Sequence, residues 1–210
     1  MTTLTDAINV DRDEIFKGAA RLVYSNPATL TSFPGRFESV MNPTTMALVA
    51  GWTDFGGTTE DGLTVRREAE LSDGIPVDQR RSPLDEGEPE KWNMSAETTL
   101  LQTSLTNIKL AWEGGTLRAH PAAGGNAAQH VLDLDAPGTV TERMLCAFQE
   151  DPKTLKMRMI CFRKAKPKVD GAEMKWSRSD ATEVPISFTL ASDEDISEGS
   201  GQFGRIYELD

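Results

Sequence analysis

Two histidines, two cysteines and one short acidic cluster are the residues of this 210-residue sequence whose types could do chemistry. A general base, a nucleophile or a metal centre needs partners at fixed spacing. His120 and His130 sit in or beside a Gly/Ala-rich connection, without HxxxH or HExxH spacing, and read as surface residues. Cys146 and Cys161, with two distant histidines, do not make a zinc-ligand set, and both lie in apolar alternation. They read as free thiols acting as small buried hydrophobes. Asp54, Glu60 and Asp61 could form an acid pair or hold a metal, but they adjoin turn glycines and lack the oxygen-ligand spacing of a calcium loop. The glycine pairs beginning at 56, 114 and 124 belong to no GxGxxG, GxxxxGK[ST] or GxSxG pattern and read as turns and caps. No catalytic residue, cofactor or metal is expected, so the sequence reads as a protein that is not an enzyme and works by associating with other chains.

The elements around these residues belong to an ordinary folded chain, 38% hydrophobic and 26% charged. No stretch approaches the roughly 18 apolar residues of a membrane span, and the start, MTTLTDAINVDRDE, lacks the order of a signal peptide. The expectation is a soluble chain, made in the cytoplasm, with no membrane partner. A net charge of −11 opposes ordinary nucleic-acid binding, yet suits a wall that nucleic acid must pass without sticking.

One domain over residues 1–210 is expected. Residues 1–17 read as an N-terminal arm, Ala19 to Ser25 as a strand, and Asn26 to Asn42 as a long Pro/Ser/Thr-rich connection. Met46 to Trp52, broken by Gly56-Gly57 and followed by Leu63 to Glu70, reads as a hairpin. Residues 71–90 form a polar loop that reaches toward a neighbour or lies on the surface. Trp92, Met94, Ala96 and Thr98 alternate as a strand, with Trp92 on the core stripe. The period then changes to Leu101, Leu105, Ile108 and Trp112, which predicts a helix over about 99–113, capped by Thr99 with Gln102 and stopped by Gly114-Gly115. Val131 to Asp135, Thr141 to Glu150, Leu155 to Lys164 and Val184 to Ala191 read as strands, and residues 192–210 as a C-terminal tail.

A turn centred on Pro152-Lys153 would set Glu150 opposite Leu155 and Cys146 opposite Met159, with the two cysteines diagonal. One face of that hairpin, Met144, Cys146, Phe148, Met157, Met159 and Cys161, must look into the core. The other mixes Arg143, Lys156 and Arg158 with Leu145, Ala147, Ile160 and Phe162, a composition that suits subunit contact. The run Lys153, Lys156, Arg158, Arg163, Lys164, Lys166 and Lys168 contains no acid, and Asp193, Glu194, Asp195 and Glu198 or Asp85 to Glu90 are its natural complement on a neighbouring copy. A solvated face is the alternative.

The stretch AGWTDFGGTTEDGLTV at Ala50 to Val65, then IPVDQ at Ile75 to Gln79, then a strand-to-helix unit ending at Trp112, resembles tail tube proteins of long-tailed phages. Gly51, Trp52, Asp54, Phe55, Gly56, Asp61, Gly62, Asp78 and Gln79 carry the match, through their order more than through any one residue. The resemblance implies a mainly β fold, a two-sheet antiparallel sandwich with one flanking helix and long loop and terminal arms. It implies six copies closing a ring, rings stacking into a tube, and a lumen through which double-stranded DNA slides. It also implies a virion location, with a tape measure protein, a tail tip or baseplate initiator and a tail terminator as partners. Arg143, Lys156, Arg158 and Ile160, with Arg80, Arg81, Asp85 and Glu86 of the loop, are the candidate inter-subunit residues. The Arg80-Arg81 insertion and the long tail from Ser192 depart from the simplest members. A carbohydrate- or receptor-binding sandwich, which needs Trp92, Trp112 and Trp176 clustered on its surface, and a related secretion-tube or terminator ring protein, are the rival readings.

Overall fold

A computed structural model describes residues 20–25, 33–71, 89–135, 140–151, 154–168, 174, 182–196 and 201–209. The expected N-terminal arm, Trp176 and, within the long loop, Asp78, Gln79, Arg80, Arg81, Asp85 and Glu86 lie outside the described residues. The protein is mainly β: β1 (Ala20–Ser25), β2 (Trp52–Asp54), β3 (Thr58–Leu71), β4 (Pro89–Leu100), α1 (Leu105–Trp112), β5 (Thr116–His120), β6 (Gln129–Asp133), β7 (Arg143–Glu150), β8 (Met157–Pro167), β9 (Val184–Ala191) and β10 (Gly204–Leu209).

All strand pairs are antiparallel, in the order β2-β1-β7-β8-β9-β4-β3. β8 joins the two halves, because Met157 to Phe162 pair with β10 on the edge that Lys164 to Pro167 give to β9. The halves pack face to face as a sandwich. Leu22 and Leu145 of one half meet Ala96, Phe188 and Leu190 of the other in one core, which α1 closes with Leu110 and Ala111. In β9, Val184, Ile186, Phe188 and Leu190 are all buried, as their alternation requires. The opposite face of β1, β7 and β8 carries a second core of Val23, Met144, Cys146, Phe148, Met159 and Cys161, covered by Phe37, Val40 and Met41. Part of the long connection after β1 therefore serves as the lid of this second core.

Several local expectations give way to sheet pairing. β2 pairs with β1 and not with β3, because β3 runs antiparallel to β4. Of the Met46 to Trp52 run only Trp52 belongs to a strand, Leu48 making an isolated bridge to Met41 and Ala50-Gly51 a turn, and Asp61-Gly62 sits in a bulge where the register jumps between Thr58/Leu100 and Leu63/Thr98. β4 takes residues through Leu100, which pairs with Val184, so the helix starts at Leu105, six residues beyond Thr99. Its cap is Ser104, whose side chain accepts from the Asn107 N–H at 3.2 Å. Glu113 takes the left-handed position at the other end. Trp92 is 40% exposed, under the Arg67 guanidinium at 3.9 Å, because β3 and β4 extend beyond the core. Gly204–Leu209 of the expected tail is a sheet strand.

The cysteines are not free. Asp151 N–H donates to the Lys156 carbonyl and Leu155, at φ 59°, donates to the Asp151 carbonyl, so the turn is longer than one centred on Pro152-Lys153. The register slips by two, Glu150 faces Met157, and Cys146 faces Cys161 directly in a disulfide. A slip of two preserves each face, which is why the predicted core face is the observed one.

Candidate assembly surfaces

The quoted motif around Trp52 organises the sandwich from inside. Gly51, at φ 96°, turns the chain into β2, where Trp52 enters the second core while Phe55, fully buried, enters the first. The Phe55 ring lies between Tyr24 (4.7 Å) and Phe188 (6.0 Å), tying the two sheet halves together. Asp54 accepts from Arg21 Nε and from the Gly56 N–H, both at 2.8 Å, and Arg21 also donates to the Met46 carbonyl. Asp54 is thereby committed to local structure, while Glu60 and Asp61 are exposed on β3. Among the described residues no group of three His, Cys, Asp or Glu could hold a metal.

The face of β7 and β8 expected to meet a neighbour is largely internal. Leu145, Ala147 and Phe162 are core, Ile160 packs against that core, and Arg158 pairs with Glu208 of β10 at 2.8 Å. The basic run finds acids within its own chain. Arg163 and Lys164 meet Asp193, the latter at 2.9 Å, and Lys166 meets Glu142 at 2.9 Å. Asp193 has no exposed surface. Burial alone would raise its carboxyl pKa, but the Lys164 hydrogen bond, the Asp195 N–H and the Arg163 charge outweigh it and hold the group below the usual carboxylate range. Lys156 lies beside the turn and its backbone closes it.

Arg143, at the start of β7, enters a polar cleft between α1 and β5 together with Tyr24, Lys109, Glu113 and Asp135. Its Nε and the Glu113 Oε1 are buried without a hydrogen-bond partner among the described residues. Burial raises the Glu113 carboxyl pKa against the opposing Arg143 charge.

Three features escaped sequence reasoning: the edge position of β3, the pairing of β5 with β6, and the Asn107 anchor. β3 is a long edge strand, paired on one side only among the described elements. β5 and β6 form a separate two-stranded ribbon. Asn107, buried at the helix start, donates to the Phe55 and Gln102 carbonyls, both at 2.8 Å, and so anchors α1 to the motif segment. Alternation marks a strand but not which of its edges stays unpaired or which strand it joins, and an asparagine inside a helix gives no sequence signal for such an anchor.

Comparison with known proteins gives one family. A sequence model of the phage tail tube proteins matches residues 9–199, nearly the whole chain and every element of the sandwich except β10. No curated protein matches it. The matched span and the mainly β, antiparallel architecture agree, and the chain belongs to the phage tail tube protein family, non-enzymatic structural components of the virion tail that self-assemble into a tube.

Proposed function

We propose that this protein is the major subunit of a tail tube, in which six copies close each ring and stacked rings form a hollow conduit for double-stranded DNA during ejection. The observation that carries the reading is β3. Its outer edge, from Leu63 to Leu71, offers an unfilled ladder of N–H and C=O groups among the described elements. Such an edge invites pairing unless a partner covers it. A ring of copies covers it in every subunit at once, and closed symmetry removes the free ends.

The sheet beside that edge has the surface a conduit needs. Where Leu63, Val65, Ala96, Ile186 and Phe188 turn inward, the alternate residues Thr64, Arg66, Glu68, Ser95, Glu97 and Thr189 face outward. They are short or polar, with no large apolar group, and their acids add to a net charge of −11. Turned toward the lumen, this face repels the phosphate backbone and gives the bases nothing to stack on. A tape measure protein would occupy the lumen during assembly, with a tail tip or baseplate initiator and a tail terminator at the ends. Ring contacts by Lys156, Arg158, Arg143 and Ile160, and by Arg80, Arg81, Asp85 and Glu86 of the long loop, are part of the same proposal. Against the receptor-binding alternative, Trp112 packs on the first core and Arg67 covers Trp92.

Negative-stain electron microscopy of the purified protein across concentration, with light scattering for mass, tests the reading. Hollow six-fold rings or tubes are expected; compact monomers at every concentration, even with a tail-tip initiator added, would overturn it.

A further inference from the structure

The two ends of the domain carry a projection and a groove of matching chemistry, separate from the β3 edge. The projection is the β5–β6 ribbon, whose strands pair only with each other among the described strands and whose main contact among the described elements is α1. Two-stranded ribbons are marginal in water without a surface to pack on. The register sets Leu117 opposite Leu132 and Ala119 opposite His130 on one face, while Thr116, Arg118 and His120 stand with Asp133, Val131 and Gln129 on the other. Leu117 is 40% exposed, and Leu134 just past the ribbon is 60% exposed. The tip, Pro121 to Ala128, is built of small residues, and no acid occurs from Arg118 to Leu132 in a chain of net charge −11.

The groove is a cavity of about 790 Å³ between the start of β3 and the strands β7, β8 and β10. Leu63, Val65, Ile160 and Ile206 line it. The first three are the partly buried margin of the first core, and Ile206 is 65% exposed, so the sandwich is open here. Exposed Glu60 and Asp61 stand on its rim, and the two cations that also line it, Arg21 and Arg158, are paired with Asp54 and Glu208.

β7 runs from one site to the other. Arg143 lines the cleft at the base of the ribbon and Gln149 lines the groove, six residues further on. At roughly 3.3 Å per residue that is about 20 Å. Two different surfaces at opposite ends of one chain make a head-to-tail contact that each added copy regenerates. We propose that the β5–β6 ribbon of one copy docks in the groove of the next, its Leu117 and Leu132 face completing the open end of the first core and its acid-free tip passing the acidic rim. This rests on the tube reading and adds to it a contact between neighbouring subunits.

Cross-linking tests the docking with full-length chains. Ala123→Cys at the tip and Asp61→Cys at the rim are exposed changes that leave the fold intact, and the native cysteines are buried in their disulfide. Mixed and treated with a bis-maleimide under assembly conditions, the two variants are expected to yield a two-copy species. The yield should exceed by about tenfold that from Ala123→Cys with the exposed control Leu155→Cys, as a held pair reacts at raised effective concentration. Adding Leu132→Glu to the ribbon copy should abolish the excess. Wild-type tubes with linkage no greater than the control would overturn this inference and leave the tube reading standing. No assembly and no linkage would overturn both. Preferential linkage of the Asp61 cysteine to an Ile15→Cys site in its own chain would assign the groove to the N-terminal segment and overturn the docking.

Discussion

Asp193 has no exposed surface, and the cations of Arg163 and Lys164 both meet it. Its carboxyl is held below the usual range, so it contributes stability that is present above about pH 4 and lost as the pH falls through the lower folded value. Asp193→Asn is therefore expected to cost about 2 kcal/mol at neutral pH, the loss of hydrogen bonds to a charged group. Across pH 5 to 3, urea unfolding should change less for the variant than for the wild type; parallel curves would remove Asp193 as a source of the acid sensitivity. Arg158 and Glu208 lie opposite each other on β8 and β10 and are both partly exposed, so their pair contributes little by itself. Arg158→Glu should lower stability by about 0.5 kcal/mol and Glu208→Arg in the same chain should restore it. A double variant no more stable than Arg158→Glu would show that the ion pair is not what Arg158 contributes. Both partners of each pair were visible in the sequence as a basic run and scattered acids. Asp193 was expected to meet the basic run from a neighbouring copy; that the pairs close within one chain was not legible, because it depends on β10 returning to β8 and on a turn after β9 that carries Asp193.

At the scale of elements, the sandwich depends on Phe55 reaching across from the end of β2 to Tyr24 and Phe188. Phe55→Ala should cost about 3–5 kcal/mol, read as a lowered thermal midpoint, because the surrounding rings belong to two sheet halves that cannot both collapse into the void. The ribbon depends on Gly115, which turns from α1 into β5 at φ +94° and whose added Cβ would lie 2.0 Å from the Asp133 carbonyl oxygen. Gly115→Ala should cost about 1–3 kcal/mol and speed amide exchange in residues 116–120 and 129–133 while β9 stays protected. Uniform protection would mean that the ribbon tolerates the change. How far these elements were legible follows from their burial. β9 and the inward face of β7 and β8 were readable from strict alternation, since one side of each is core. Every residue of β5 is exposed, so its short alternation of Leu117 and Ala119 with Thr116, Arg118 and His120 marks no core face to identify it as a strand. The helix start was misplaced because Thr99 with Gln102 and Ser104 with Asn107 offer similar caps, and pairing of β4 with β9 decided between them. The same limit hid the disulfide: local turn residues suggested one register, and the longer turn that forms brings Cys146 to Cys161.

For the whole molecule, charge and topology bear on one question, which surface faces DNA. The net charge of −11 could be spread anywhere, but the fold places a run of outward polar residues on β3, β4 and β9 beside the open edge of β3. If that sheet lines the lumen, its acids matter through their sign and not through any single contact. Glu68 is exposed on β3, and Glu97 on β4 faces Thr64 with only a loose pairing to Arg66 at 3.8 Å, so neither is needed for packing. Changing both to Lys moves each by two charges and takes the subunit from −11 to −7, with the change confined to this face. Tubes of Glu68→Lys/Glu97→Lys protein should keep the wild-type diameter and subunit stability yet retain linear double-stranded DNA at low salt. The retention should fall steeply as salt is raised, because it rests on phosphate neutralisation. Electrophoretic mobility of DNA with each tube preparation, across a salt series, measures this. Reversing two acids on an outer surface would also give binding, but to the tube exterior, and electron microscopy separates the cases by where the DNA lies. DNA decorating the outside, or no retention at any salt, would show that this face does not line the lumen.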